Sequence, residues 1–487
     1  MGNKGQTTIF FSLIISVLLL FTLSALEVGR IYMSKVKIRA VVHSTCSSLM
    51  ADYNSELFER YHLLFMDPTY GTGSEAALEE KAIDYLDCSL NGEKADGNGI
   101  YEFQISQLML ADKEGILYED MALLKKQIAD YEKSGGVLKN AEKLVDILKG
   151  KEVNVEGAAK ETEQNGVQMP SDSEGKPVEE VEVTDPRDTL KNMLTPGILS
   201  ITLPEGVDIP KEALVFENAP SKQYEEEQEE ERDNSFQNIG TLIRFLKNTV
   251  TDDDAENNLK NRAAFVDYVS NHFSNGIRQR EDSVHKCEIE YILKGKDSDY
   301  KNMQSVVNDI MWMRMPVNYA YLLSDEEKKS EALTVAAAIC TATGTEGMIE
   351  VVKYLLLGCW AYGETICEMR TLLSGEKIPY IKTKETWTTD LKTLGGTAAV
   401  KSTGQGLSYE NYLMLLLAKK KGDKLNICYA RMLDLIDVNI KKTDPDFSLV
   451  NCAGRLKIQG EISINSHFVK GKDSSLYSEF FEEEIGY

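Results

Sequence analysis

The chain has 487 residues, enough for about three average domains, with 42% hydrophobic and 27% charged residues. Lys and Arg number 54 against 78 Asp and Glu, a formal net charge of −24, which excludes a chain-wide nucleic-acid binder because phosphate neutralisation needs basic surface. The mean hydropathy of −0.29 and the 8% aromatic content exclude a polytopic membrane protein and a wholly disordered one. The acidity is uneven: residues 153–235 hold 21 acidic and 7 basic side chains and carry −14 of the total.

Ile9 to Leu26 is a run of 18 residues without a charge, Pro or Gly. As a helix it is about 27 Å long, enough to cross a hydrocarbon core. The expected anchor residues are Ile9, Phe10, Phe11, Leu13, Ile14, Ile15, Val17, Leu18, Leu19, Leu20, Phe21, Leu23 and Leu26. Ser12, Ser16, Thr22 and Ser24 interrupt them, but helical hydroxyls bond back to the chain. A cleaved signal peptide would have a shorter apolar core and a better cleavage site than Leu23-Ser24-Ala25, so a retained anchor is expected. Arg30, Lys35, Lys37 and Arg39 follow the run, against Lys4 before it, and the positive-inside rule alone places the C side in the cytoplasm.

From Val28 to Met66 there is no Pro, and Gly29 is the one Gly. Ile31, Ile38, Val42, Cys46, Leu49, Tyr53, Leu57, Tyr61 and Leu64 recur at steps of three, four or seven, a helical stripe. One helix from about Ile9 to Met66 is the simplest expectation, with Ile31, Ile38, Val42, Leu49, Tyr53, Leu57 and Leu64 docking a soluble domain. An anchor and a separate core helix broken near Gly29 is the alternative.

Glu75–Leu90 reads as a short helix, and Tyr101, Phe103 and Ile105 alternate like a strand. Residues 117–150 read as two helices joined at Gly135-Gly136, the second striped by Val137, Ala141, Leu144 and Leu148. Residues 153–184 are acidic and polar and read as a disordered linker. Ile198, Leu199, Ile201 and Leu203 restore apolar character, and the glutamate run Glu225–Glu231 reads as a solvated tract. Helices are expected over Ile239–Thr249, Leu259–Phe273, Asp299–Leu323, Glu331–Thr343, Met348–Leu373 and Ser408–Val438, the last broken near Lys421-Gly422. Cys287, Ile289 and Tyr291 alternate with acids as a second strand candidate, and Leu456, Ile458, Ile462 and Ile464 form a third. The fold class expected is α+β, mainly α: a single transmembrane helix continuing into a long amphipathic helix, then a helical body with a small sheet. The division expected is 1–27 for the anchor segment, 28–152 for the long helix, strand and hairpin, 153–238 for an acidic, partly disordered insertion with a short ordered piece near 185–215, and 239–487 for a mainly helical domain with a C-terminal strand.

No catalytic motif emerges. His43, His62, His272, His285 and His467 stand at no metal-ligand spacing, and the phosphate-loop, dinucleotide-binding and nucleophile-elbow patterns are missing. Asp297 and Asp299 could pair at a metal, but a loop or helix-cap role is the stronger expectation. The eight cysteines include no C-x-x-C, and Cys340, Cys359 and Cys367 sit among apolar helical residues as small hydrophobes. The residues therefore assign no catalytic, cofactor or metal site, and no cofactor.

Lys4-Gly5-Gln6-Thr7-Thr8-Ile9-Phe10, the apolar run and Leu26-Glu27-Val28-Gly29-Arg30 resemble TadE/TadG-like proteins of tight-adherence pilus systems. Longer stretches resemble a Gram-positive bacterial family of unknown function with that kind of N-terminus. They are Ala51–Tyr61, Gly197–Pro204, Cys287–Asn302, Trp360–Glu364, Leu372–Lys377 and Leu407–Asp437. Cleavage after Gly5 would put Phe10 at the fifth mature position, where processed pilins carry Glu. The resemblance implies an N-in, C-out single-pass envelope protein, a pseudopilin-like component of pilus assembly, with the membrane and pilin-like proteins as partners and no nucleic acid. A cell-surface hydrolase with an unrecognised site and an extracytoplasmic ligand-binding sensor are the alternatives.

Overall fold

The computed structural model describes residues 3–92, 101, 103–135, 197–204, 206–226, 254–379, 381–391, 406–465 and 475–487. The helix expected over Val137–Leu148, the linker over 153–184 and the helix over Ile239–Thr249 lie outside these residues. The chain divides into two units, Met1–Gln127 with Ile440–Tyr487 and Ile128–Asn439. It is mainly helical with one three-stranded antiparallel sheet, the class the sequence predicts.

The first unit opens with α1 (Asn3–Met50), a 48-residue helix that passes through Gly29 without a break. It stops at Met50 instead of reaching Met66. Asn54 sits in extended backbone, and its side chain accepts the Leu57 N–H at 2.8 Å, capping a separate helix, α2 (Ser55–Tyr61). His62, in the left-handed region, closes α2 by donating its N–H to Phe58. Two competing helix signals, a cap and a left-handed stop, thus interrupt a stripe whose period alone predicts one rod.

Next come α3 (Ala76–Asn91) and β1 (Phe103–Gly115). β2 (Ala453–Asn465) and β3 (Ser475–Gly486) complete the sheet in the order β1-β2-β3. Leu78, Ala82, Leu86 and Leu90 recur every four residues on α3, and Ile38, Val42 and Leu49 share a face of α1. These rows pack with Leu456, Ile458, Ile462 and Ile464 of β2 and Phe103 of β1. Each buried large aliphatic contributes roughly 1.5–3 kcal/mol. Gly460 stands at the centre of the middle strand, where a Cβ would lie 2.6 Å from both the Gln107 carbonyl oxygen and the Phe481 ring. Its bare backbone lets β1 and the Phe481 ring close in.

In the second unit, α4 (Tyr118–Gly135) begins within the first, and α5 (Ile198–Thr202) and α6 (Asp254–His272) follow. The segment read as a strand at Cys287–Tyr291 is helical, α7 (Glu288–Lys294). Alternation marks a strand when its polar members face solvent. Here Glu288 and Glu290 are as buried as Ile289 and Tyr291, so the alternation defines no face. Gly295, left-handed at φ 60°, closes α7 by donating to the Tyr291 carbonyl at 2.7 Å.

α8 (Asp299–Ser324), α9 (Glu326–Thr343) and α10 (Ile349–Leu373) pack around Leu322, Ala336, Cys340, Leu356, Leu357 and Trp360. Ser298 caps α8, Asp325 caps α9, and a Ser408–Asn411 capping box starts α11 (Tyr409–Ala418). After the break at Lys421-Gly422, α12 (Asp423–Lys441) runs back to the first unit's part of the chain.

Candidate functional site

α1 has two unlike halves. From Ile9 to Leu26 the large apolar side chains Ile9, Phe10, Phe11, Leu13, Ile15, Val17, Leu18, Leu19, Leu20, Phe21 and Leu26 are 56–71% exposed, and Ile14 and Leu23 are half-buried. An 18-residue window here has a mean hydropathy of 2.6 with none of it buried, long and apolar enough to cross a membrane. Ser16 donates to the Ser12 carbonyl and Thr22 to that of Leu19, so these hydroxyls are satisfied within the helix.

Burial begins at Glu27. Arg30 holds both Glu27 oxygens, at 2.6 and 3.2 Å, and donates to the Asn465 carbonyl at 2.6 Å. Beyond it Lys35 and Arg39 reach Glu479 at 3.4 and 3.1 Å, and His43 meets Glu483 at 2.8 Å. Burial opposes the charge on Glu479, yet the Tyr477 and Arg39 bonds and the Lys35 charge outweigh it and hold the carboxyl below its usual range. Of the expected docking stripe, Ile38, Val42 and Leu49 are buried on α1 and Ile31 is half-buried there. Leu57 is buried on α2, while Tyr53 is exposed and Leu64 half-buried outside any helix.

The second unit concentrates buried ionisable groups, and sequence reasoning missed them. Glu288 accepts the Ser274 N–H and the Asn439 amide, each at 2.7 Å. Glu290 accepts the Gly276 N–H at 2.9 Å and the Tyr409 hydroxyl at 2.8 Å. Burial pushes the Glu290 carboxyl up to about 7, against those bonds. Asp434 accepts the Ser221 N–H and the Tyr291 hydroxyl, at 2.8 and 2.7 Å, and burial raises it to about 6. Asp299 accepts the Lys286 N–H at 3.1 Å, and Asp297 pairs with Lys301 at 2.8 Å in the open. Burial lowers the His285 pKa despite the pull of Asp299. Asp297 lies in the turn before α8 and Asp299 in its first turn, while the helix cap is Ser298.

A second nest lies between α8 and α10. Arg314 grips both Glu368 oxygens at 2.7 and 2.9 Å, and Asn318 adds a bond at 2.9 Å. Lys382 joins Glu364 at 2.5 Å and Glu368 at 3.0 Å, with all four charged side chains fully buried. Burial opposes the Glu368 charge, but Arg314 and Lys382 prevail and keep its pKa low. Two cations face two anions, so the nest is neutral as a whole.

These carboxylates bind backbone, hydroxyl, amide and cation donors of their own fold. No group of three or more His, Cys, Asp and Glu side chains suited to a metal occurs among the described residues. A cavity of about 530 Å³ in the first unit is lined by Asp52, Asn54, Asp67, Asp444 and Asp446. Another, about 580 Å³ in the second unit, gathers Lys294, Lys296, Lys420, Lys424 and Arg431 around Trp312. None of the buried carboxylates above lines either cavity. The signal for the second was a Lys419-Lys420-Lys421 run inside an acidic chain, which reads in sequence as a mere helix break.

Neither the curated proteins nor the solved structures give a match. Residues 176–464 match the Family of unknown function (DUF5702), a span that takes in α5 to α12 and β2 as far as Ile464. That is more than half of the chain, which therefore belongs to the DUF5702 family.

Proposed function

We propose that this protein is a single-pass membrane protein of the cell envelope, a structural or assembly component of a tight-adherence, type IV-like pilus system. The division of α1 carries the reading. Its first half offers apolar side chains with nothing packed on them, and its second half is a core element of a helix-on-sheet unit. Such a helix anchors and presents a folded body at once, and identical or related helices can pack side by side in the bilayer. The Lys4–Arg30 resemblance supports the pilus assignment, and it favours N-in, C-out topology over the flanking charge. Long translocated domains override flanking charge.

Removing residues 1–26 spares the buried Glu27–Arg30 pair, so the shortened chain should fold and leave the membrane fraction. Retention in that fraction would overturn the anchor. Cys88 is exposed and free. An impermeant maleimide on intact cells should label it in the full chain, and labelling only after lysis would reverse the topology. A Val17→Cys chain should cross-link to pilin-like subunits in cells, and exclusively monomeric protein would sink the assembly role.

A further inference from the structure

The cavity of about 580 Å³ in the second unit stands out in a chain of charge −24. Lys294 reaches it from the end of α7 and is paired with Asp309 at 2.5 Å. Lys296, Lys420, Lys424 and Arg431 also line it, and none of these four has a carboxylate within 4 Å among the described residues. They come from three separate stretches: the turn after α7, the break between α11 and α12, and α12 itself. Asp309 also lines the hollow, Asp297 interacts with Lys296 and Asp434 with Arg431, yet cations still outnumber the lining carboxylate, and their mutual repulsion is a cost that an anion lowers.

Lys296 and Lys424 are exposed, whereas Lys420 is half-buried. Arg431 is half-buried, and its guanidinium packs over Gly295 where any Cβ would overlap it. Gly295 thus serves both the left-handed end of α7 and the seat of the arginine. At the rim Trp312 is 74% exposed, while Trp360 is fully buried. Ser305 and Asn308 add neutral polar groups from α8. The volume falls in the range of small-ligand sites, roughly 300–1,000 Å³. A guanidinium fork with several ammonium groups suits phosphate oxygens, and an exposed indole offers a flat face to the organic part.

We infer that this pocket binds a ligand carrying two or more phosphate groups, held by Lys296, Lys420, Lys424 and Arg431 with its organic part against Trp312. The phosphates can belong to a free nucleotide or to a lipid headgroup.

The test uses the full chain in nanodiscs of phosphatidylcholine, titrated by calorimetry and tryptophan fluorescence. Tripolyphosphate is the primary probe, and ADP and vesicles containing cardiolipin, whose headgroup carries two phosphates, are the two further arms. Saturable tripolyphosphate binding is expected, weakened by about tenfold or more in Lys420→Glu/Lys424→Glu, since one charge-assisted contact of about 1.4 kcal/mol is tenfold in affinity. Unchanged circular dichroism and thermal midpoint establish that the double variant is folded, and Lys296→Glu serves if it is not. Tighter binding of ADP, with a fluorescence change lost in Trp312→Ala, assigns a nucleotide; vesicle binding lost in the same lysine variant assigns a headgroup. Absence of saturable phosphate binding, binding indifferent to the lysine reversals, or binding of polyglutamate in place of tripolyphosphate would overturn the inference.

Discussion

The two units are stabilised by different means. The first packs aliphatic rows of α1 and α3 on a sheet, with the buried Glu27–Arg30 pair at its edge and the Glu479 and Glu483 pairs nearer the surface. The second has an apolar cluster of its own around Trp360, but it also buries Glu288, Glu290, Asp434, Glu368, Glu364, Arg314 and Lys382. Apolar packing tolerates conservative change because it has no direction. A buried charge is tolerated only while each of its partners stays in place. The second unit is therefore the more specified of the two and the more easily broken by one substitution.

The largest expected effect follows from that difference. Glu368→Ala leaves Arg314 and Lys382 buried with too little compensating charge, a loss of about 3–5 kcal/mol. All three tryptophans, Trp312, Trp360 and Trp387, lie in the second unit, so their fluorescence in a urea titration reports its unfolding alone. A midpoint equal to the unsubstituted chain's would show that the nest contributes nothing.

The next effect depends on pH. Glu290 titrates near 7 when folded, against an ordinary 4.5. A raised carboxyl stabilises while protonated, so its contribution is complete below about pH 4.5 and lost as pH rises to about 7. The span amounts to about 3 kcal/mol at most. Tryptophan-monitored thermal midpoints should fall across that window, and Glu290→Gln should flatten the fall. A Gln variant with the same pH profile would remove Glu290 from the account.

The smallest effect probes the apolar unit. Gly460→Ala forces a methyl against the Gln107 carbonyl and Phe481 and should cost about 1–3 kcal/mol. Far-UV circular dichroism in urea should show this loss while the tryptophan transition stays put. A neutral result would mean that the sheet opens freely at its centre.

The same contrast explains what the sequence revealed. Leu78, Ala82, Leu86 and Leu90 announce α3 by period, and Leu456, Ile458, Ile462 and Ile464 announce β2 by alternation, because both elements have one apolar and one wet face. β3 gave no such signal. Glu479 and Glu482–Glu484 interrupt its apolar alternation, although the ladder pairs it with β2 from Arg455–Gly486 to Ile464–Tyr477. α7 alternates like a strand in sequence because its acids, Glu288 and Glu290, are core residues. The end of α1 depended on one capping asparagine, Asn54, which a period of 3.6 does not register. The basic cavity was least legible of all, since Lys296, Trp312 and Arg431 belong to three elements that only the tertiary fold gathers.

The unbroken passage of α1 through Gly29 has a mechanical consequence. At about 1.5 Å per residue its 48 residues make a rod of roughly 72 Å. No hinge separates the exposed apolar half from Ile38, Val42 and Leu49 in the core. Traction on the first half is therefore delivered straight to the packed sheet, so the load limit of the fastening is the unfolding force of the first unit. A cut just before Glu27 would free the folded body with its core whole, whereas a cut one or two turns later would take the Glu27–Arg30 clasp with it.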